Sequence, residues 1–411
     1  MTIYNEYSEL KSVLVGKTFS SDILFDLYGE TDSVKYYGRI NDETNEDLDR
    51  LDEYLTSIGV TVYRPNIEKV YDLQKIYGDT LVGPGSSRDF FLAYGKDIFI
   101  YNTSWTYRNL EHLYWEDTWD KLESRGYTIN LPENNLDDVQ KFTDFEQLTI
   151  KLRQQFDEDF ENNRNIVFEQ LKYIITRPTL KKIFEDLLRC DVWDDSLNRA
   201  KLKMIYVYEG LSDYSLIHSA SFFRLNENIV ANPGPSTEKG FNDICNKLDT
   251  KYGAKVNDNT NKLGHIDGDI SIINEKQYVC QENFKPLEDL GLECIHSNIP
   301  VATSDIESGP LEQWNLFSDK EIDPDMYHSK KRKEEFLKFY LENLRGYDQR
   351  VDFDFNFLTI KPNKILCGIH DKNKIKELND KGIETVNIPL RHRWVIDGGV
   401  HCYTNDIERY D

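Results

Sequence analysis

The chain has 411 residues, and its acidic residues outnumber its basic ones by 73 to 50, which gives a formal net charge of −23 at pH 7. Hydrophobic residues make up 39% of the chain and aromatic residues 13%, enough for a folded core and too many for a disordered chain. An acidic chain repels nucleic acid and anionic membrane surfaces, which excludes both as principal partners. A cationic small molecule suits this charge better.

The opening stretch and the cysteines indicate the compartment. MTIYNEYSELKSVLVG has neither the basic n-region nor the apolar h-region of a signal peptide, and no apolar run approaches the length of a membrane span. The six cysteines are widely spaced and none lies in a C-x-x-C pair, which favours a reducing compartment over a disulfide framework. These features predict a cytoplasmic protein.

A unit of strand, turn, strand, helix and strand recurs along the chain. After an opening strand in SVLVG, paired strands are predicted in RDFFLAYGKDIFIYN, SASFFRLNENIVANP, HIDGDISIINEKQYVC and FNFLTIKPNKILCGI. Amphipathic helices such as ETNEDLDRLDEYLTSI and TEKGFNDICNKLDTKY are predicted between strands from their apolar spacing. Each helix is expected to end at a glycine that precedes a short alternating strand. These glycines are Gly59, Gly126, Gly253, Gly291 and Gly382.

One such unit is too small to bury both of its faces, so the units are expected to pack against one another. They either close into a ring of five α/β modules or form an open α/β sheet divided between two domains, and the repeat alone leaves both open. Residues 133–205 fall outside the repeat. They predict a charged, helical insertion between the second and third units, whose apolar stripe is expected to be core.

Chemically suggestive residues cluster where the units begin. Asp89 lies in GPGSSRDFF, Ser221 in HSASFFR, His265 and Asp267 in GHIDGD, and Cys402 in GGVHC, where two glycines allow a close backbone approach. A thiol, an imidazole and carboxylates from separate segments can form a nucleophilic site, and two carboxylates can clamp a planar cation. Taken singly, a cysteine is more often a small buried hydrophobe. HIDGD lacks a second histidine at helical spacing, which argues against a metal site.

In this order, the motifs resemble those of the amidinotransferase family, best known through glycine amidinotransferase. That family belongs to a guanidine-modifying group that includes arginine deiminases and dihydrolases. The matching segments are NEYSELKSVLVG, SSRDFFLAYGKDIFIYNTSW with Ser87 in place of a proline, HIDGDISII, and RHRWVIDGGVHCYTNDIER. The resemblance covers the chain almost end to end apart from the insertion. It implies a single domain over residues 1–411, folded as a five-bladed α/β propeller with its site at the centre.

The resemblance also implies a role for each motif residue. Cys402 would attack the guanidinium carbon of arginine, and His265 would protonate the leaving amine and then deprotonate the incoming nucleophile. Asp89 and Asp267 would hold the guanidinium nitrogens. Arginine and an amine acceptor, glycine or another amine, would be the substrates, and no cofactor or metal would be needed. A hydrolase of the same group and a low-activity arginine-binding relative are the alternatives. The sequence does not give the oligomeric state, and a homodimer is one alternative.

Two positions depart from the family pattern. The family carries an acid that orients the catalytic histidine, whereas the matching residue here is Ser221, with Asp269 or Asp213 as a possible aid. A hydroxyl accepts a hydrogen bond from imidazole but supplies no charge to stabilise imidazolium. The family's arginine for the substrate carboxylate is also missing after the fourth unit's strands. Arg350 is a candidate substitute, although a surface arginine beside acidic neighbours is an equally good interpretation.

Overall fold

A computed structural model describes residues 2–77, 83–102, 108, 110–131, 144–151, 184, 202, 205–206, 217–232, 238–258, 266–280, 283–297, 337–338, 340–344, 355–393 and 398–410. The strands in these residues form five three-stranded sheets, here called blades 1 to 5. In each of blades 2 to 5 an antiparallel hairpin is followed by a third strand that pairs in parallel with the second. This is the predicted order of the repeat.

The strands are short, as expected for units of this size. Blade 1 contains β1 (Leu10–Val15), β2 (Thr61–Tyr63) and β15 (Thr404–Arg409), and blade 2 contains β3 (Phe91–Tyr94), β4 (Asp97–Ile100) and β5 (Thr128–Asn130). Blade 3 contains β6 (Phe222–Leu225), β7 (Asn228–Ala231) and β8 (Lys255–Asp258). Blade 4 contains β9 (Ile270–Asn274), β10 (Gln277–Cys280) and β11 (Glu293–His296), and blade 5 contains β12 (Leu358–Lys361), β13 (Lys364–Cys367) and β14 (Glu384–Asn387).

Helices lie between the strands, including those predicted in ETNEDLDRLDEYLTSI and TEKGFNDICNKLDTKY, whereas the helices at Ser21–Tyr28 and Val70–Tyr77 were not predicted. Their bounds are α1 (Ser21–Tyr28), α2 (Asp32–Ser57), α3 (Val70–Tyr77), α4 (Glu116–Ser124), α5 (Glu238–Tyr252), α6 (Lys285–Asp289) and α7 (Lys372–Asp380). The side chain of Thr31 caps α2 by accepting a hydrogen bond from Val34 N. Short 3-10 helices lie at Ile67–Lys69, Ser87–Asp89, Glu111–Trp115, Ser219–Ser221 and Ile266–Gly268, and a π-helical turn lies at Tyr340–Leu344. Among the described residues, no helix has both the length and the apolar character needed to cross a membrane.

Five clusters of the described core each lie between two neighbouring blades, and a further small cluster joins Ile40 to Leu337, Tyr340 and Leu341. Successive side chains of β3 point to opposite faces of its sheet. Phe91 and Ala93 therefore pack in a cluster with residues of blade 1, and Leu92 and Tyr94 pack in a cluster with residues of blade 3. Equivalent clusters join blades 3 and 4, blades 4 and 5, and blades 5 and 1. The succession returns to its starting blade, so the predicted five-bladed α/β propeller is confirmed and the alternative of an open two-domain sheet is wrong.

The last strand closes the ring. β15 pairs antiparallel with β1, from Leu10 opposite Arg409 to Val15 opposite Thr404, while β2 pairs in parallel on the other side of β1. In blade 1, β15 therefore takes the place that the first strand of the hairpin occupies in blades 2 to 5, although it comes from the other end of the described sequence.

The five predicted helix-ending glycines are confirmed. Their φ angles are 85° at Gly59, 83° at Gly126, 66° at Gly253, 86° at Gly291 and 84° at Gly382, all in the left-handed region that side chains disfavour. Each donates its N–H to a carbonyl of the preceding helix, for example Gly253 N to Asp249 O at 2.7 Å. These bonds satisfy orphan carbonyls at the helix ends.

Most of the predicted insertion at 133–205 lies outside the described residues. Residues 144–151 are helical. The ring of Phe145 lies 6.4 Å from that of Phe184 and 5.6 Å from that of Tyr206, and all three side chains are buried. Phe145 and Phe184 are therefore core residues, whereas Leu148 of the same helical stretch is exposed.

One disulfide was not expected from the sequence. Cys280 ends β10 and Cys294 lies in β11, and the parallel register of these strands brings their Cα atoms to 6.3 Å, where a disulfide joins them. The spacing of 14 positions gave no sign of this pairing, because only the return of the chain through α6 brings the two cysteines together.

Candidate active site

Turns that precede the inner strands of the blades meet at one place. Asp89, Ser221 and Asp267 lie in 3-10 turns directly before β3, β6 and β9, and Cys402 lies two positions before β15. The turns are joined by backbone hydrogen bonds, such as Arg88 N to Cys402 O at 3.2 Å. Four predicted site segments thus come together as expected from the repeat.

Cys402 is buried in this cluster and contacts two of its side chains. Its side chain is 6% exposed, and its Sγ lies 3.8 Å from Oδ2 of Asp267. Its backbone N–H donates to Oδ1 of Asn356 at 2.9 Å. The thiol predicted to be the nucleophile is therefore buried beside a carboxylate that was predicted to hold the substrate.

Asp267 is oriented by two further side chains. Nδ1 of His401 lies 2.9 Å from Asp267 Oδ2, and Asn356 Nδ2 donates to the same oxygen at 3.2 Å and to the backbone oxygen of Asp267 at 3.0 Å. A carboxylate held by several donors keeps one orientation, which is what recognition of a planar cation requires.

The two glycines before Cys402 permit the close backbone approach that the sequence predicted. A Cβ on Gly399 would lie 2.7 Å from Cβ and Oδ1 of Asn356, well inside ordinary contact distance. A Cβ on Gly398 would lie 3.1 Å from Cβ of Cys402. The absence of a side chain at Gly399 therefore lets the turn pack against Asn356, and its absence at Gly398 leaves room for the side chain of Cys402.

Asp89 has an internal partner. Its Oδ2 accepts a hydrogen bond from Nη1 of Arg108 at 2.6 Å, and Nε of Arg108 bonds to Glu111 at 2.6 Å. The Arg108 guanidinium also lies over the ring of Phe90, 4.4 Å from its centre. Burial lowers the pKa of Arg108, but the attraction of Glu111 and Asp89 outweighs burial and raises the pKa above its usual value. The carboxylate predicted to hold a substrate guanidinium thus holds a guanidinium of the chain itself.

Ser221 lies in the cluster, and its predicted partner is not described. The side chain is fully buried, and Oγ has no hydrogen-bond partner among the described residues. Asp269, the proposed aid to Ser221, is exposed. His265, Asp213 and Arg350 lie outside the described residues, so their roles stay predictions.

A buried ionic network, which the sequence analysis did not predict, includes Arg88 from the turn that carries Asp89. Arg88 donates to Glu6 at 3.0 Å and to Asp406 at 2.7 Å, and Arg224 donates to the same two carboxylates at 2.7 Å each. Burial opposes ionisation of Glu6, but Arg224 and Arg88 outweigh it and lower its pKa to about 2. The arginine of the RDFF motif is therefore a structural residue that fixes the turn carrying Asp89.

Asn356 and His401 were also missed as site residues, and the repeat contained the signal for Asn356. It lies two positions before β12, the place that Asp89 occupies before β3 and Cys402 before β15. His401 was noted only as the neighbour of Cys402. Within the described part of the chain, the one group of His, Cys, Asp and Glu side chains with metal-ligand spacing lies elsewhere, in blade 4.

The fold is shared with two amidinotransferases of known structure. The inosamine-phosphate amidinotransferase of Streptomyces griseus matches 100% of this chain and 97% of its own chain, with 15% identity and a TM-score of 0.56. An amidinotransferase of the saxitoxin biosynthetic pathway in Microseira wollei matches the same shares, with 12% identity and a TM-score of 0.56. No family model matches the chain, and no curated protein matches it in sequence. At these identities the likeness establishes the fold, a five-bladed α/β propeller of the amidinotransferase type.

Proposed function

We propose that this protein is an amidinotransferase that moves the amidino group of L-arginine to an amine through a covalent intermediate on Cys402. The observation that carries the proposal is the buried approach of Cys402 Sγ to the Asp267 carboxylate at 3.8 Å. A thiol beside an oriented carboxylate suits a substrate that is a planar cation with an electrophilic carbon, because the carboxylate attracts the cation while the thiolate attacks the carbon. The shared fold with two amidinotransferases supports the same assignment.

In the proposed reaction the Cys402 thiolate forms a bond to the guanidinium carbon, and the bond from that carbon to the substituted nitrogen of arginine breaks. Ornithine leaves with a proton on the released nitrogen, and the amidino group stays on sulfur. An amine then forms a bond to the same carbon, loses a proton and expels the thiolate. The steps balance in atoms and electrons without an oxidant or a reductant, so the proposal includes no cofactor.

His265 is proposed to supply and accept these protons, on the strength of the HIDGD resemblance. Ser221 is proposed to orient its imidazole, and a buried hydroxyl without a described partner is compatible with that role. Arg350 is the proposed partner of the substrate carboxylate. These three roles rest on the order of motifs in the sequence and not on a described contact.

The two aspartates are proposed to contribute unequally. Asp267 lies beside Cys402 Sγ and is oriented by His401 and Asn356, so it is assigned the main contact with the substrate guanidinium. Asp89 already bonds to Arg108 through Oδ2. A substrate guanidinium would have to share Asp89 with Arg108, which weakens the attraction that this carboxylate can offer.

The experiment is product analysis by mass spectrometry after the purified protein is mixed with arginine and a panel of amines that includes glycine. Ornithine together with a guanidinylated amine supports the proposal and identifies the acceptor. Citrulline with ammonia, or ornithine with ammonia and no amine adduct, would overturn it in favour of a hydrolase in which water resolves the intermediate. No turnover, with arginine still protecting Cys402 from alkylation, would overturn it in favour of an arginine-binding protein.

A matched pair of cysteine variants tests the covalent step. Cys402→Ala is expected to abolish turnover and to leave the fold intact, because a single thiol in a turn contributes little to the core. Cys245→Ala is the control, since Cys245 is a half-buried cysteine of α5 in blade 3 that forms no disulfide. Turnover by Cys402→Ala, or equal losses in both variants, would contradict the covalent mechanism.

A further inference from the structure

Three potential metal ligands meet where β10 and β11 end in blade 4. Cys280 lies opposite His296 in the parallel register, and Cys294 lies two positions before His296, so the three residues share one face of the strand pair. The Sγ atoms of both cysteines and a ring nitrogen of His296 all lie within 4.8 Å of one another. This cluster is separate from the thiol, imidazole and carboxylate around Cys402.

We propose that Cys280, Cys294 and His296 bind a zinc-type divalent ion when the Cys280–Cys294 disulfide is reduced. Two thiolates and an imidazole are ligands that Zn²⁺ prefers over the alkaline-earth ions. The net charge of −23 also favours accumulation of a cation at the surface.

The spacing of the ligands fits a tetrahedral ion. Zn–S and Zn–N bonds of about 2.3 and 2.1 Å place neighbouring sulfur and nitrogen ligands about 3.6 Å apart. The distance from Cys294 Sγ to His296 Nδ1 is 3.8 Å. The two sulfurs must separate from bonding distance, and rotation of the side chains can supply this because the Cα atoms are 6.3 Å apart.

Burial is graded across the cluster, which predicts an open coordination position. Cys280 is buried, Cys294 is half-buried and His296 is exposed. The ammonium of Lys381 bonds to the backbone oxygen of His296 and so lies beside the cluster. Three protein ligands on a side that faces solvent leave the fourth coordination position of a tetrahedral ion to water or to an exchangeable ligand. Zinc sites with only three protein ligands have the same arrangement.

The disulfide and the metal-bound form exclude each other, because a sulfur in a disulfide has no thiolate charge to offer a metal. A dithiol reductant delivers two electrons and two protons, the S–S bond breaks, and two thiols form. Metal binding then releases both thiol protons. The cluster thus has an oxidised, cross-linked form and a reduced, metal-binding form.

The test titrates Co²⁺, a spectroscopic substitute for zinc, into the full-length protein. One sample is first reduced with a dithiol that is then removed without air, and the other is kept oxidised. The reduced protein is expected to gain a thiolate-to-cobalt charge-transfer band that saturates at one Co²⁺ per chain, and the oxidised protein is expected to gain none. No band in the reduced protein, or equal bands in both samples, would overturn the proposal.

Variants assign the band to the cluster. Cys294→Ser and His296→Gln are expected to remove or strongly weaken it, and His296 is exposed, so its replacement should not affect folding. Cys402→Ser is the control and is expected to keep the band. A band that survives in Cys294→Ser, or that disappears in Cys402→Ser, would place the metal elsewhere and overturn the assignment.

Discussion

At the scale of single residues, His401 is the side chain whose position says most about the site. Its Nδ1 lies 2.9 Å from the Asp267 oxygen that also approaches the Cys402 thiol. Hydrogen bonds to charged groups contribute roughly 1.5–3 kcal/mol, so the bond is strong enough to set the orientation of the carboxylate. His401 is in this view a positioning residue for Asp267.

His401→Leu should lower kcat/KM for arginine by roughly 10- to 100-fold, mainly through a higher KM, because Asp267 would lose one donor. His401→Asn should lose less, since its amide nitrogen can take the place of Nδ1. Steady-state kinetics on both variants, beside their thermal midpoints, checks this. Equal losses of kcat/KM in the two variants would show that the hydrogen bond from His401 to Asp267 does not support activity.

Ser221→Asp should retain or raise activity if Ser221 occupies the position that orients the catalytic histidine, because a carboxylate stabilises imidazolium. Ser219→Asp is the matched control, since Ser219 lies in the same turn and its Oγ is also buried without a described partner. The activity of the Ser219→Asp variant should fall. The kcat of both variants is the measurement, and a large loss in Ser221→Asp alone would mean that the hydroxyl is adapted to another substrate.

At the scale of elements, the turn before β15 sets the position of Cys402, the proposed nucleophile. Asn356 bonds to the backbone N–H of Cys402, and Gly399 packs directly against Asn356. Any displacement of Asn356 therefore moves both Cys402 and, through its amide, Asp267.

Gly399→Ala should reduce activity at least 10-fold with a modest loss of stability, because its Cβ would lie 2.7 Å from Asn356 and must push it aside. Gly268→Ala is the control, because a Cβ at Gly268 meets no atom within 4 Å. Activity and thermal midpoint are measured for both. If Gly399→Ala retains full activity, the contact with Asn356 does not position the thiol.

Local patterns predicted the elements well, and long-range contacts explain what they missed. Alternating strands and glycines with positive φ depend on a few neighbouring residues, so β3, β4 and the helix end at Gly126 could be predicted. The contact of His401 with Asp267 spans 134 positions and exists only once the ring has closed. The Arg108–Asp89 pair and the Cys280–Cys294 disulfide likewise depend on packing between segments. No local sequence pattern in either segment predicts its partner.

At the scale of the whole molecule, one charged cluster ties several blades together. Glu6 precedes blade 1, Arg88 precedes blade 2, Arg224 lies in blade 3 and Asp406 lies in the closing strand of blade 1. All four side chains are buried. Loss of one partner would leave an uncompensated charge in the interior, which costs about 3–5 kcal/mol.

This cluster predicts how acid unfolds the protein. Since the pKa of Glu6 falls from 4.5 to about 2 on folding, its ionised form stabilises the protein above pH 4.5, and this stabilisation is lost as the pH falls through about 2. The free energy of unfolding, measured by denaturant titration, should fall across that window. Glu6→Gln should lower stability at neutral pH and flatten the dependence. Glu9→Gln, at a half-exposed position, should change neither, and equal curves for Glu6→Gln and the unaltered protein would contradict the prediction.

The pairing of β15 with β1 has a consequence for the order in which the protein is made. Among the described strands a ribosome releases β1 first and β15 last, so the edge of β1 lacks its partner until the other described strands have been made. Cys402 emerges just before that partner. A nascent chain therefore receives Cys402 only after the other described blades have been made, and a polypeptide cut short before residue 402 would lack both that thiol and the strand that closes the ring.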